Sequence, residues 1–416
     1  MPSAIEQRNF RCGILHGAFF HMANAFGDPY AIIPLFLSGF TGSRLLIGLI
    51  VSLIGAVGVL PQLSIARMLQ RRPEAARPLM LVGIWTRCAV WGFIATATLL
   101  LPLKSAWIPV LFTGLISIYS LGGGLAVLPF RRIISETIPS ERRGSFFSGR
   151  LAAGGTLALL AGFIVKKVLS IESLVYPRNY GVLFLCSFGA LVLSYIAMSR
   201  FRFPKTEKPT APLSLPPFRR DIADILKNYP VLKRLVAVRM FSGGLILALP
   251  FLTLYATQDL HLPLEWIGVF IAAQTAGTIL SNLAWGPLEN KIGTRCVISS
   301  GLATGVLGLA AVLVAKSGLA LLPAFFLIGC ANSGLLVGFS GYILEIGTPE
   351  NRTMLFAMEG TLLLPLYFMP LFGGLLSDAF GYRPLILSGI ILLVVGIGAV
   401  QSLCEPRKGD IKCGPK

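Results

Sequence analysis

The chain is cut into long apolar runs separated by short polar links, and this segmentation constrains its fold more than any other feature. The runs lie at approximately 12–37, 45–66, 79–101, 106–130, 145–167, 180–199, 232–257, 265–286, 295–315, 319–344, 353–377 and 384–403. Each is close to the ~20 residues that a helix needs to cross the hydrocarbon core of a bilayer. Inside lipid every backbone N–H and C=O must find a partner within the chain, which leaves helices and closed barrels as spanning structures. Runs this long, without two-residue alternation, select the helix. The expected fold is therefore an all-α membrane protein with 12 transmembrane helices, called spans 1 to 12 here.

Composition supports lipid as the solvent. Hydrophobic residues make up 55% of the chain and charged residues 13%, whereas a soluble domain carries about 25% charged residues. The net charge of +18 invites a nucleic-acid reading, but the basic residues form no single stripe or face. They sit in clusters between apolar runs, which is how membrane topology is encoded. No nucleic-acid partner is expected. The seven cysteines lack C-x-x-C spacing, and most fall in apolar runs where a thiol behaves as a small hydrophobe. Neither a structural disulfide nor a bound metal is expected, and no cofactor. The polar start, Met1 to Arg11, leads into a run without an A-x-A-like cleavage site. That predicts a retained first helix rather than a signal peptide.

One link is different. Residues 200–231 hold Pro204, Pro209, Pro212, Pro216 and Pro217 among Arg200, Arg202, Lys205, Lys208, Arg219 and Arg220. Proline cannot continue a helix there, and the charges cannot enter lipid. The chain thus divides into an N-terminal six-helix half (1–199), a cytoplasmic linker (200–231) and a C-terminal six-helix half with a short tail (232–416). Residues Asp221 to Tyr229 are short and mixed enough for a helix lying on the membrane surface. Alternate links carry most of the Lys and Arg. Only Arg44, Lys104, Lys166, Lys167, Arg178, Lys316 and Arg383 fall in the opposite set. The asymmetry places both termini in the cytoplasm.

The halves repeat. Leu45-Leu46-Ile47-Gly48 opens span 2 and Glu265-Trp266-Ile267-Gly268 opens span 8. Pro29 and Pro250 fall at matching offsets in spans 1 and 7, and Pro139-x-x-Arg142 and Pro349-x-x-Arg352 precede spans 5 and 11. Between spans 8 and 9 runs Gly286-Pro287-Leu288-Glu289-Asn290-Lys291-Ile292-Gly293-Thr294-Arg295. This segment resembles the loop motif G-x-L-x-D-x-x-G-x-R of the major facilitator superfamily, with Asn290 at the Asp position. The corresponding segment between spans 2 and 3, Pro61 to Arg67, keeps the Leu but has no Asp. Gly374 to Arg383 also fits the pattern and reads as the turn between spans 11 and 12. The resemblance covers essentially the whole chain. It implies two pseudo-symmetric halves around a site near the bilayer midplane, and secondary transport of a small solute across the bacterial cytoplasmic membrane by a monomer.

Three polar residues of span 1 share a face. At 100° per residue Asp28 lies about 20° from His21 and Asn24 about 60° from it, while His16 lies about 140° away. An ionisable residue inside a span is a functional candidate by default. Asp28 before Pro29 is also a good helix start. Both readings stand, as proton carrier and as cap of a kinked span. Further candidates for solute contact are Tyr119, Tyr255 and Asn332, which serve equally well as helix–helix glue. Arg87 reads as structurally paired. The resemblance further implies cytoplasmic gates: Glu289 and Asn290 of the 8–9 loop against Arg142, Arg143 and Arg150 of span 5, and Arg67 and Arg71 against Glu359 of span 11, with Arg295 as a further gate candidate.

Secondary transport, coupled to protons through Asp28, is the leading expectation; a facilitated-diffusion carrier and a transport-dead sensor or scaffold are the alternatives. No G-x-x-x-x-G-K-[ST] phosphate loop occurs, so ATP drive within the chain is not expected. No nucleophile elbow or His/Asp cluster suggests an enzyme. Reporter fusions at Met1, Pro212 and Lys416 are expected to give cytoplasmic signals; a signal from the opposite side at Pro212 would break the division into six and six.

Overall fold

The computed structural model describes residues 4–100, 107–202, 230–347 and 352–405. Met1, the linker with Pro212 and Asp221 to Tyr229, Pro349, Cys413 and Lys416 lie outside the described residues. The helices before the linker are α1 (Ala4–Phe26), α2 (Ile32–Ser38), α3 (Arg44–Val59), α4 (Gln62–Arg71), α5 (Ala76–Leu100), α6 (Ile108–Thr137), α7 (Ser140–Leu169) and α8 (Arg178–Ser199). After it come α9 (Pro230–Phe241), α10 (Gly243–Gln258), α11 (Trp266–Ile292), α12 (Thr294–Val314), α13 (Gly318–Ile346), α14 (Arg352–Leu362), α15 (Met369–Phe380) and α16 (Tyr382–Val400).

Helix starts follow from local chemistry. The Ser43 side chain accepts a hydrogen bond from Leu46 N and that of Ser317 from Ala320 N, so each satisfies an amide that the first turn would leave open. Breaks inside the spans follow from proline. Pro61 separates α3 from α4, and Pro365 lies in the short 3-10 stretch Leu364–Phe368 between α14 and α15, a bend of 42°. Span 1 breaks at Gly27-Asp28-Pro29, where α1 ends and α2 begins six residues later.

Among the described residues ten helices are long and apolar enough to cross a membrane, or eleven with the bent pair in span 11. Twelve were expected, and span 1 makes the difference. Its residues fold as α1 and α2 on either side of the turn, and neither piece is among those ten. His16, His21 and Asn24 dilute the apolar character of α1, and α2 has only 7 residues. A second expectation also needs correcting: Cys404 is disulfide-bonded. The argument against disulfides rested on cysteines lying within apolar runs, and Cys404 lies beyond the end of α16.

The helices before the linker pack chiefly on one another, α1 on α7 and α8, and α5 on α6 and α8. Those after it do likewise, α13 on α11 and α12, and α16 on α10 and α12. At the linker end of the bundle the Asn9 amide donates to the Arg202 carbonyl at 2.8 Å, tying the start of α1 to the end of α8. The two groups meet mainly through α3 on α15 and α7 on α11. Both crossings depend on absent side chains. A Cβ on Gly48 would meet the Pro370 carbonyl, and one on Gly162 would lie 2.8 Å from the Gly268 carbonyl. In lipid, where apolar burial does not drive helices together, such close backbone approach is what holds them.

Gly48→Ala is expected to lower stability by about 1–3 kcal/mol, because the atom in the way is backbone and cannot step aside. Gly398, with nothing within 4 Å of its Cβ position, is the control. Thermal unfolding of the two purified variants should show a loss for Gly48→Ala and none for Gly398→Ala.

Candidate functional site

At the end of the bundle away from the linker one carboxylate joins the two groups. Asp378, near the end of α15, accepts hydrogen bonds from the amides of Arg44 (3.0 Å) and Leu45 (2.9 Å), the first two residues of α3. The Ser43 hydroxyl lies 3.5 Å from the same side chain. A negative charge at a helix N-terminus meets both unsatisfied N–H groups and the positive end of the helix dipole. The Arg44 guanidinium reaches back, donating to the Ser377 carbonyl at 2.6 Å and lying 4.1 Å over the Tyr382 ring. Deeper along the same seam, the Ser52 hydroxyl accepts from Leu371 N at 3.0 Å. Asp378 and Arg44 were not among the expected candidates, although Gly374 to Arg383 carries the loop-motif pattern. The partner of its acid is 334 residues away in sequence.

The span 1 residues lie within the N-terminal group, and the turn after α1 reaches the other group. One oxygen of Asp28 accepts both the Tyr30 and Ala31 amides at 2.8 Å, an Asx turn that carries the chain into α2. Its second oxygen has no hydrogen bond among the described residues. The Ala31 carbonyl meets the Thr253 hydroxyl of α10 at 3.4 Å, so the turn touches the other group. His21 packs edge-on against Phe20 and faces Gly154 of α7, where a Cβ would strike its ring. Asn24 and Asn332 are half-buried. Tyr119 is buried and accepts from the Arg87 guanidinium. Tyr255 is buried with its hydroxyl unbonded and its ring edge-on to Tyr382. His16, set apart by the helical wheel, joins the interior instead: its Nδ1 lies 2.6 Å from the Ser194 hydroxyl on α8.

At the linker end the charges pair differently from the expected gates. Glu359, 4% exposed, forms an ion pair with Arg239 of α9 rather than with Arg67 or Arg71. A buried carboxylate needs a near cation, and α9 offers one inside its own group. Arg67 and Arg71 line an open cavity of about 360 Å³ with Ser64, Met68 and Arg72. The 8–9 loop docks within its own group too. Gly293 takes φ +94°, the left-handed region that favours glycine, and, two residues on, the Arg295 amide donates to Glu405 at 3.1 Å. Thr294 donates to Glu345 at 3.1 Å and the Arg295 side chain to Gln401. Glu289 lies against Gly341 of α13 and Asn290 is exposed. On α7, Arg142 stacks over Phe10, Arg143 donates to the Ile138 and Ser135 carbonyls, and Arg150 donates to the Gly13 carbonyl. The structure therefore does not bring Arg142, Arg143 or Arg150 to Glu289. Among the described residues no three His, Cys, Asp or Glu side chains converge as a metal site would require.

Residues 235–409 match the family model of the Major Facilitator Superfamily. No curated protein matches the chain in sequence. Among solved structures it is similar to a bacterial homologue of the human lysosomal transporter Spinster, in an inward-facing and unoccupied conformation. That match has TM-score 0.67 and 12% identity over 97% of this chain and 98% of the other. A variant of the nucleoside transporter NupG is similar with TM-score 0.70 and 13% identity, over 96% of this chain and all of the other (100%). Matches of this extent and low identity establish architecture: the chain is an all-α, multi-span membrane protein with the fold of major facilitator transporters.

Proposed function

We propose that the protein is a secondary active transporter, moving a small solute across a bacterial cytoplasmic membrane by rocking its two helix groups about the seam between them. The observation that carries this reading is the unequal closure of the two ends. Away from the linker the groups are locked by the Asp378 cap and the crossing of α3 on α15. At the linker end Glu359 pairs with Arg239 and Arg295 N with Glu405 inside their own group, and the groups meet more lightly there, through α4 on α14 with Arg131 5.5 Å over Phe356. Bonds within a group survive rocking, while bonds between groups must break and reform, so the arrangement suits a bistable element. With the linker in the cytoplasm, this is the state open to the cytoplasm. When that end closes, Glu289 and Asn290 approach Arg142 and Arg143.

Coupling to protons runs through Asp28 in this reading. One of its oxygens holds the turn in span 1, and the other is left for a proton. The same turn touches α10, so a change at Asp28 is felt at the seam. Asparagine ranks with aspartate as a helix-start residue, so Asp28→Asn keeps the turn and removes the titration. In liposomes, purified protein is expected to accumulate a solute under an imposed proton gradient. Asp28→Asn is expected to lose accumulation and keep solute exchange. Full accumulation by that variant would leave Asp28 with the turn alone and favour facilitated diffusion; no uptake or exchange of any solute in a broad panel by the wild-type protein would favour a sensor or scaffold.

A further inference from the structure

Inside the N-terminal group lies a cavity of about 140 Å³, separate from the seam, and its walls carry positive charge without a balancing carboxylate. Arg87 of α5 and Arg150 of α7 line it, with His16, Tyr195, Phe20 and Phe130. The hydrogen-bond and ring partners of both guanidiniums are neutral. Arg87 donates to the Tyr119 hydroxyl and lies over the Tyr119 and Phe20 rings at 4.3 and 5.1 Å. Arg150 donates to the Gly13 carbonyl at 3.1 Å and lies over Phe130 at 4.9 Å. Neither forms an ion pair with an acid among the described residues. The contrast is within the same molecule: Arg239, also inside a span, is neutralised by Glu359.

Two hydrogen-bond donors at this cavity are also unspent. Arg87 Nε is buried with no acceptor, and so is the hydroxyl of Tyr195, whose side chain is 0% exposed. A buried donor without an acceptor keeps its full desolvation penalty, and two unbalanced guanidiniums in one low-dielectric pocket repel each other. One anion with several acceptor oxygens would relieve all of these at once. His16 contributes no competing charge in its neutral form. The Ser194 hydroxyl gives its single hydrogen to the His16 carbonyl at 2.8 Å, so His16 Nδ1 carries the proton that bonds Ser194.

We propose that this cavity is an oxyanion site, which binds a carboxylate or phosphate group between Arg87 and Arg150 with Tyr195 as a further donor. Guanidinium forks match the paired oxygens of such groups. The volume holds several waters at ~30 Å³ each, enough for the charged group and a few more atoms. The anion is either the head of a soluble solute or the phosphate of a lipid headgroup, since both present the same oxygens.

The test is binding to the purified full-length protein in neutral detergent, read by thermal shift at constant ionic strength, and it does not require transport. Inorganic phosphate and small carboxylates, with glycerol as the uncharged control, form one arm. Phosphatidylglycerol, with phosphatidylcholine as control, forms the other. Saturable stabilisation by an oxyanion is expected, with affinity at least about tenfold weaker in Arg87→Gln and in Arg150→Gln, since a hydrogen bond to a charged group is worth ~1.5–3 kcal/mol. Tyr195→Phe should weaken it less. Arg150→Lys guards against misfolding, because it keeps the charge and should retain part of the affinity. Stabilisation by the soluble anions alone identifies a solute site, and stabilisation by phosphatidylglycerol alone a headgroup site. No saturable effect in either arm, or an equal effect in wild type and both Gln variants, would overturn the proposal. Either result would leave the transport reading to its own assay.

Discussion

A helix broken inside a bilayer exposes N–H and C=O groups that lipid cannot satisfy, so every break in this chain must be repaired by the chain itself. The repairs position the site. In span 1 the Asp28 carboxylate takes two amides of the turn, and the Asp28 carbonyl takes those of Ile32 and Ile33. In span 11 the 3-10 stretch Leu364–Phe368 bonds internally, Leu366 N to the Leu363 carbonyl, before α15 restarts. Both breaks lie where the N-terminal and C-terminal groups meet. A straight helix could not hold the Asp28 carboxylate in a turn, nor bring Pro370 against Gly48.

The same scarcity of water explains how the two groups are joined. With no hydrophobic force between helices in lipid, contact depends on close backbone approach and on polar groups that lack other partners. Gly48, Gly162, Gly268 and Gly374 supply the first. Asp378 supplies the second at the end of the bundle, where two amides of α3 await acceptors. Such a joint is short-ranged. A small rotation removes the close approach and the capping bonds together, which is the behaviour a two-state element needs.

Much of the architecture was legible in the sequence, and the failures have physical causes. Hydropathy located the helices because burial in lipid is a property of the local run. It read 12–37 as one continuous span, and the two histidines and Asn24 that make span 1 interesting also leave neither of its two helices apolar enough to stand among the ten. The 8–9 loop motif was legible as a pattern, and its Gly293 takes the left-handed region of φ. Partners across the bundle were not legible. Glu359 chose Arg239 over Arg67 because helix proximity, which sequence spacing does not encode, decides which cation is near. The helical wheel set His16 aside, yet α8 brings Ser194 to it. Asp378 sat in a recognisable pattern, but its role depends on the start of α3 lying beside it.

The central claim is that the Asp378 cap holds one end of the bundle shut while the other is open. Spin-label distances in nanodiscs test it most directly, with one pair at Ser170 and His261 at the capped end and another at Ser135 and Asn290 at the linker end, all exposed positions. The wild-type protein should show a short capped-end distance together with a long linker-end one. In Asp378→Ala, a population with the capped-end distance lengthened and the linker-end distance shortened should grow. Unchanged distributions at both ends in Asp378→Ala would contradict the account.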